Sequence, residues 1–301
     1  MTTGRAQNRI VFVGAAHLDR IGRLDQPAAL GCSNPGKFEQ LPGGTALNVS
    51  RILARLGHQV ELVTLLGKDE IGQWLKDILA RENVMLNPIT SCHARTGSYT
   101  SIMDPDGSVV IALADMEINN QFSADLAADF VNSTTGDDWL CVDANLPQDQ
   151  LEPLLELSAA KKAGFTVSKA KAARLRDILP NLDILFTNCT EARALLALEE
   201  NREKSTLLDK LTDAGVTSAV VTDGPAPVQI LHNCAHHELP VKIPEQVLDV
   251  TGAGDALAAT TLHYLDRGTA LVGSVEKGIQ AASAIIQVRG AIWHDLADQL
   301  K

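Results

Sequence analysis

The sequence predicts an α/β fold: a mostly parallel central sheet covered by helices on both faces, with a small second sheet standing off it. Three observations carry this expectation. Short apolar runs alternate with longer amphipathic ones, the rhythm of strand–helix–strand units in a parallel sheet. Two segments, 15–41 and 95–113, break that rhythm and carry no helical pattern. Polar and glycine-rich residues gather where predicted strands end, which is where such sheets bind ligands. No linker, repeat or low-complexity tract interrupts residues 1–301, which read as one domain.

In chain order, Ile10–Val13 is a buried strand ending at Gly14. Pro42-Gly43-Gly44-Thr45 opens a helix to about Leu56, with Val49, Ile52, Leu53 and Leu56 on one face and Gly57 as its stop. Val60–Leu66 is the next strand. Gly67-Lys68-Asp69-Glu70-Ile71-Gly72 then leads into a helix through Leu79. Residues 97–113 read as a hairpin turning at Asp104–Gly107, and with 15–41 they supply the strands of a lid. Further pairs follow: strand Trp139–Val142 with helix Gln148–Ala163, strand Ile184–Thr187 with helix Glu191–Ala197, and strand Ala219–Thr222. The alanine-rich run Ala256–Tyr264 reads as a helix.

Composition narrows the function classes. Apolar residues make up 45% and charged residues 21%, as in a soluble enzyme. A net charge of −11 without a Lys/Arg stripe argues against a nucleic-acid partner. No apolar run reaches the roughly 18 residues a membrane span needs. The polar stretch Met1–Ile10 lacks the apolar core of a signal peptide. Five scattered cysteines without CxxC spacing read as free thiols, and the expectation is a cytoplasmic protein.

The chemistry concentrates at Asp249-Val250-Thr251-Gly252-Ala253-Gly254-Asp255. Small residues between Thr251 and Asp255 let backbone N–H groups approach an anion. The helix that follows points its N-terminus, with orphan donors and partial positive charge, at the same place. Asp255 adds a carboxylate able to take a proton beside that anion. An anion cradle with an adjacent base suits phosphoryl transfer to a hydroxyl. The plainer reading, an ordinary tight turn and helix start, is disfavoured by the turn's place among other strand-end motifs.

This signature, with the Pro42–Asn48 glycine loop and the Gly67-x-Asp69-x-x-Gly72 turn, resembles the ribokinase-like, or PfkB, family of carbohydrate and nucleoside kinases. The order of elements is similar over nearly the whole chain. Ser33–Lys37, Ala114–Ile118 and Val167-Ser168-x-x-Lys171 resemble segments of the family's pseudouridine kinases. The resemblance implies a ribokinase-like three-layer α/β/α sandwich with a small β-sheet lid. It implies ATP and Mg²⁺, with Asp255 as general base and Gly252, Ala253 and Gly254 donating N–H groups to the transferring phosphate. Asp19, Gly43, Gly44, Asn48 and Lys171 would bind the acceptor. Asn188, Glu191, Thr222 and Gly224 would serve the nucleotide, with Glu191 reaching Mg²⁺ through water. Asp249 and Thr251 would border a monovalent cation such as K⁺, and the lid would pair two copies into a homodimer.

The chain departs from the pattern in places. His17 stands where the family usually has Asn, while Ala46 and Leu47 replace a glycine and an arginine of the sugar loop. Pro225 and Pro227 remove N–H donors from the loop expected near ATP. Asn188-Cys189-Thr190-Glu191 also reads as a helix cap, with Glu191 completing a capping box. His236-His237 reads as surface, Trp74, Trp139 and Trp293 as packing, and Tyr99 as a lid residue whose contact with substrate is the minority reading. The expected function is an ATP-dependent kinase of a ribose-containing acceptor, with pseudouridine as the first choice. The alternatives are another family acceptor (ribose, fructose or adenosine) and a non-catalytic sugar- or nucleoside-binding relative.

Overall fold

A computed structural model describes residues 8–91, 93–199 and 205–288. Trp293 and Cys92 lie outside the described residues. The main sheet has nine strands: β1 (Arg9–Val13), β4 (Gln59–Gly67), β5 (Met85–Ser91), β8 (Trp139–Asp143), β9 (Lys161–Phe165), β10 (Ile184–Asn188), β11 (Ser218–Thr222), β12 (Val228–His232) and β13 (Ala235–Leu239). Their order is β13-β12-β11-β10-β9-β8-β1-β4-β5. All neighbours from β11 to β5 are parallel, and the edge pair β12–β13 is antiparallel. The lid sheet holds β2 (His17–Leu24), β3 (Gly36–Gly43), β6 (Ser98–Met103) and β7 (Val109–Asp115), in the order β3-β2-β6-β7.

Alternation along the strands builds the three layers, because successive side chains point to opposite faces. Ile10 and Phe12 of β1 join one core with α1 (Thr45–Arg55), α2 (Glu70–Arg81), α7 (Ala253–Asp266) and α8 (Leu271–Ile285). Val11 and Val13 join the other, covered by the short α3 (Ala128–Val131), α4 (Gln148–Glu156), α5 (Cys189–Leu195) and α6 (Ser205–Asp213). In the first core Phe12, Phe165 and Phe186 stack in series across three strands, with centroids 4.9 and 5.1 Å apart. Among the described residues no helix is long and apolar enough to cross a membrane.

The expected elements are present; β5, α3, α6 and α8 are additional, and two readings need correction. The helix expected over Gln148–Ala163 ends at Glu156, and Lys161–Phe165 is a strand. Lys-Lys-Ala-Gly has little intrinsic β preference; the segment is extended because β8 and β10 flank it and pair with both of its edges. The hairpin β12–β13 was not expected either. It places His236 and His237, both exposed, on the edge strand, in keeping with the surface reading. The lid hairpin turns where expected: the N–H of Gly107 donates to the carbonyl of Asp104 at 2.9 Å, and Gly107 has φ +87°. Trp139 is buried and Trp74 packs on the core. The four described cysteines are free thiols.

Candidate active site

Two helices of one layer bring their N-termini together. Gly44 caps α1 with φ +108°, a conformation that glycine adopts readily and other residues do not. One turn later, Asn48 points its amide at the carboxylate of Asp255: Nδ2 donates to Oδ2 at 2.8 Å. Thr45 also hydrogen-bonds Asp255. Asp255 stands in the first turn of α7, whose cap, Gly252, is left-handed at φ +79°. Within that turn the N–H of Ala253 donates to the Val250 carbonyl at 3.2 Å, while Gly252 and Gly254 border the space beside the carboxylate.

Burial pushes the Asp255 carboxyl up to about 6. The bonds from Asn48 and Thr45 work against the rise, and the negative charges of Asp143 and Glu191 add to it. A carboxylate tuned to that range is a competent base near neutrality.

A cavity opens over this junction, lined among others by Thr45, Thr166, Glu191, Gly252, Gly254 and Asp255. Asn188 and Thr222 reach it from the carboxyl ends of β10 and β11. The Asn188 side chain caps α5 by accepting the N–H of Glu191 at 2.9 Å. This is the cap expected of Asn188; the reciprocal half of the expected capping box is not what the Glu191 side chain makes, since its carboxylate accepts from Thr166 instead. Thr166, at the end of β9, hydrogen-bonds the Glu191 carboxylate and lies 3.0 Å from the Thr187 hydroxyl.

A second cavity of about 530 Å³ lies on the other side of the turn, sharing Asn188, Thr222, Gly254 and Leu257 with the first. Gly224, Pro225 and Ala253 line it, with apolar walls from Val228, Ile243 and Val250. Ile243 and Val250 are 55% and 70% exposed. Apolar walls this open suit a flat aromatic group, and the volume falls in the ordinary range for ligand pockets.

Of the expected acceptor residues, Asp19, Gly43 and Gly44 sit at the root of the lid, and Lys171 lies apart from them beside Asn145. β2 and β3 pair so that His17 opposes Gly43. The Asp19 carboxylate lies against the Gly43 backbone, and His17 Nδ1 is 3.0 Å from Asp19 Oδ1. The remaining polar atom of Asn48, Oδ1, is buried without a hydrogen-bond partner among the described residues. Lys171 donates to Asn145 Oδ1 at 2.6 Å. Behind it, the fully buried Asp143 accepts the N–H groups of Asn145 at 2.8 Å and Ala15 at 3.2 Å. Burial raises the Asp143 carboxyl against those bonds; burial lowers the Lys171 ammonium, with Asp143 opposing.

The sequence-derived residues therefore divide into four groups, with Lys171 apart beside Asn145. Asp255, Gly252, Gly254, Glu191, Asn188 and Thr222 share one cavity, while Ala253 and Gly224 face the second. Asp19, Gly43 and Gly44 form the lid root. Asp249 lines neither cavity; its Oδ1 accepts the N–H of Thr251 at 2.9 Å. Thr45, Asp143, Asn145 and Thr166 were missed. The strand-end rule had a signal for Asp143-x-Asn145 and Thr166, since each sits at the carboxyl end of a central strand.

Comparison with known proteins settles the family. Residues 7–296 match the model of the pfkB family carbohydrate kinases. The chain belongs to that family. As a member it is a phosphotransferase with an alcohol acceptor, and membership implies ATP as the donor. A pseudouridine kinase of Escherichia coli (strain K12) is 28% identical over 260 residues, covering 85% of this chain and 83% of that protein. A carbohydrate kinase from Agrobacterium tumefaciens superposes with a TM-score of 0.83 at 32% identity, covering 97% of this chain and 96% of that one. A ribokinase from Giardia lamblia superposes at 0.84 with 15% identity, covering 97% and 99%. At that identity the likeness shows the fold alone, and the fold is ribokinase-like.

Proposed function

We propose that this PfkB kinase transfers the γ-phosphoryl group of ATP to the 5′-hydroxyl of pseudouridine. The observation that carries the phosphoryl-transfer reading is the Asn48–Asp255 contact beside the α7 N-terminus, which puts a raised-pKa base next to an anion cradle. The acceptor hydroxyl gives its proton to Asp255 as its oxygen bonds the γ-phosphorus and the bond to ADP breaks. The N–H groups at Gly252 and Gly254, which line the cavity with Asp255, meet the charge on the phosphoryl oxygens; that of Ala253 is held by the Val250 carbonyl at 3.2 Å and leaves the expected set of donors.

Glu191 suits Mg²⁺. Its carboxylate is held by Thr166, lines the phosphate cavity and adds negative charge beside Asp255. Mg²⁺ prefers oxygen ligands and keeps its waters, so Glu191 and Asn188 would hold it through water. Bound there, it would neutralise phosphate charge.

Asp19, Gly43, Gly44 and the free Oδ1 of Asn48 orient the acceptor. The likeness to pseudouridine kinase favours pseudouridine. Initial rates with ATP and a panel of pseudouridine, uridine, cytidine, adenosine, ribose and fructose test it. Pseudouridine is expected to give the highest kcat/KM, and a higher value for any other acceptor reassigns the substrate. Pro225 and Pro227 motivate the rival reading of a non-catalytic binder. Calorimetry showing acceptor binding without MgATP binding would favour it; the open apolar cavity beyond the turn speaks for a nucleotide. Free thiols and the lack of a spanning helix among the described residues suit a cytoplasmic enzyme.

The lid supports a homodimer. Register puts Phe38, Gly22, Ile102 and Ile111 in one row across β3, β2, β6 and β7. Phe38, Ile111 and Leu113 are 69%, 65% and 71% exposed, and a second copy would cover them. Light scattering is expected to give twice the 32.1 kDa chain mass. Ile111→Lys with Leu113→Lys should return it to one; a wild-type monomer would refute the pairing.

A further inference from the structure

The lid also reaches the anion turn from above. Asp19, Ile21 and Arg23 alternate along one face of β2, so the strand that carries Asp19 over the acceptor carries Arg23 further out. The Arg23 guanidinium lies between neighbours on both sides, with Nε buried and without a hydrogen-bond partner among the described residues. Nε lies 4.0 Å from Glu39 Oε2 on β3, and Nη1 donates to the sulfur of Met103 on β6 at 3.7 Å. Nη2 then faces Asp249 Oδ2 at 4.0 Å, where the Asp249 side chain is only 11% exposed.

Asp249 is the residue to which the family resemblance assigns a monovalent cation, and it does not suit one here. Oδ1 is committed to the N–H of Thr251, and Oδ2 looks onto a guanidinium. At the C-terminal end of α8, Ile286 O is engaged as well, accepting the N–H groups of Leu248 at 2.8 Å and Asp249 at 3.3 Å. A K⁺ ion on Oδ2 would sit within a few ångströms of a permanent positive charge, at a half-buried position where like charges are poorly screened.

We infer that Arg23 takes the place of the monovalent cation: its guanidinium supplies the positive charge beside Asp249 that holds the Thr251–Asp255 turn in shape. Arg23 is thus a positioning residue, acting on the anion turn through Asp249. This inference rests on the kinase reading of the site.

The test compares the wild-type enzyme in tetramethylammonium buffer with the same buffer containing saturating KCl or NaCl, at constant ionic strength. We expect kcat and kcat/KM to agree within about twofold across the three salts, and the melting temperature to be the same. Activation of about tenfold or more by K⁺ over tetramethylammonium, with a K⁺-specific rise in melting temperature, would overturn the inference. Arg23→Met is expected to lower kcat by about tenfold or more and to become K⁺-responsive. Wild-type kcat in that variant, with no response to K⁺, would also overturn it. If Arg23→Met does not fold, the wild-type salt series decides alone. Failure of the kinase reading looks different: no acceptor is turned over in any salt, and the melting series still reports whether K⁺ binds.

Discussion

Asp255→Asn is expected to lower kcat by about 10³-fold, within the range that a positioned general base contributes, while acceptor binding by calorimetry stays close to wild type. The amide preserves shape and can still bond Asn48 and Thr45, but it cannot take the hydroxyl proton. In the wild type, the acid limb of log kcat/KM against pH should bend near 6, the value to which burial pushes this carboxyl, and fall tenfold per pH unit below it. The linkage sign gives a second readout. The folded pKa lies above the unfolded one, so the group's contribution to stability is fully present below about 4 and lost as pH rises through about 6. At pH 7.5 the wild type carries an ionised carboxylate in a desolvated site, and Asp255→Asn should melt higher. A variant that melts higher and has lost turnover is one whose carboxylate served the reaction rather than the fold. A variant with wild-type turnover would remove Asp255 from the mechanism.

What the sequence disclosed was what is local. The anion turn lies within seven consecutive residues, its glycines and its carboxylate adjacent, and α7 starts where that pattern says it should. The amphipathic period of α1 and the buried runs of β1 and β4 are likewise properties of short windows. The contacts that make the turn into a site were not visible. Asn48 and Asp255 are 207 residues apart and meet only because α1 and α7 pack side by side. β9 was read as helix because its residues carry no strand preference of their own; two neighbouring strands impose it. Arg23 had no motif at all, since its partner Asp249 lies across the gap between lid and main sheet. Asp249 and Thr251 were legible as a turn, but the charge that answers Asp249 could be found only in three dimensions.

Gly43→Ala is expected to raise the acceptor KM by about 30- to 150-fold, the equivalent of about 2–3 kcal/mol for hydrogen bonds to a charged group, with the ATP KM unchanged. The cause is steric and specific. β2 and β3 run antiparallel with His17 opposite Gly43, which places the Asp19 carboxylate flat against the Gly43 backbone. A methyl group at 43 would lie 2.3 Å from Asp19 Oδ2 and 2.5 Å from Oδ1, closer than real contacts allow. Gly43 is buried in an ordinary extended strand, so backbone strain is not at issue and the chain should fold. What must move is the carboxylate, the group proposed to grip the acceptor's hydroxyls. Asp19→Asn separates the two parts of this argument. It keeps the shape against Gly43 but weakens the acceptance of hydroxyl donors, so it should raise the same KM by a smaller factor. If Gly43→Ala binds acceptor like the wild type, Asp19 is not the acceptor's anchor, and the glycine at 43 answers only to the packing of the lid root.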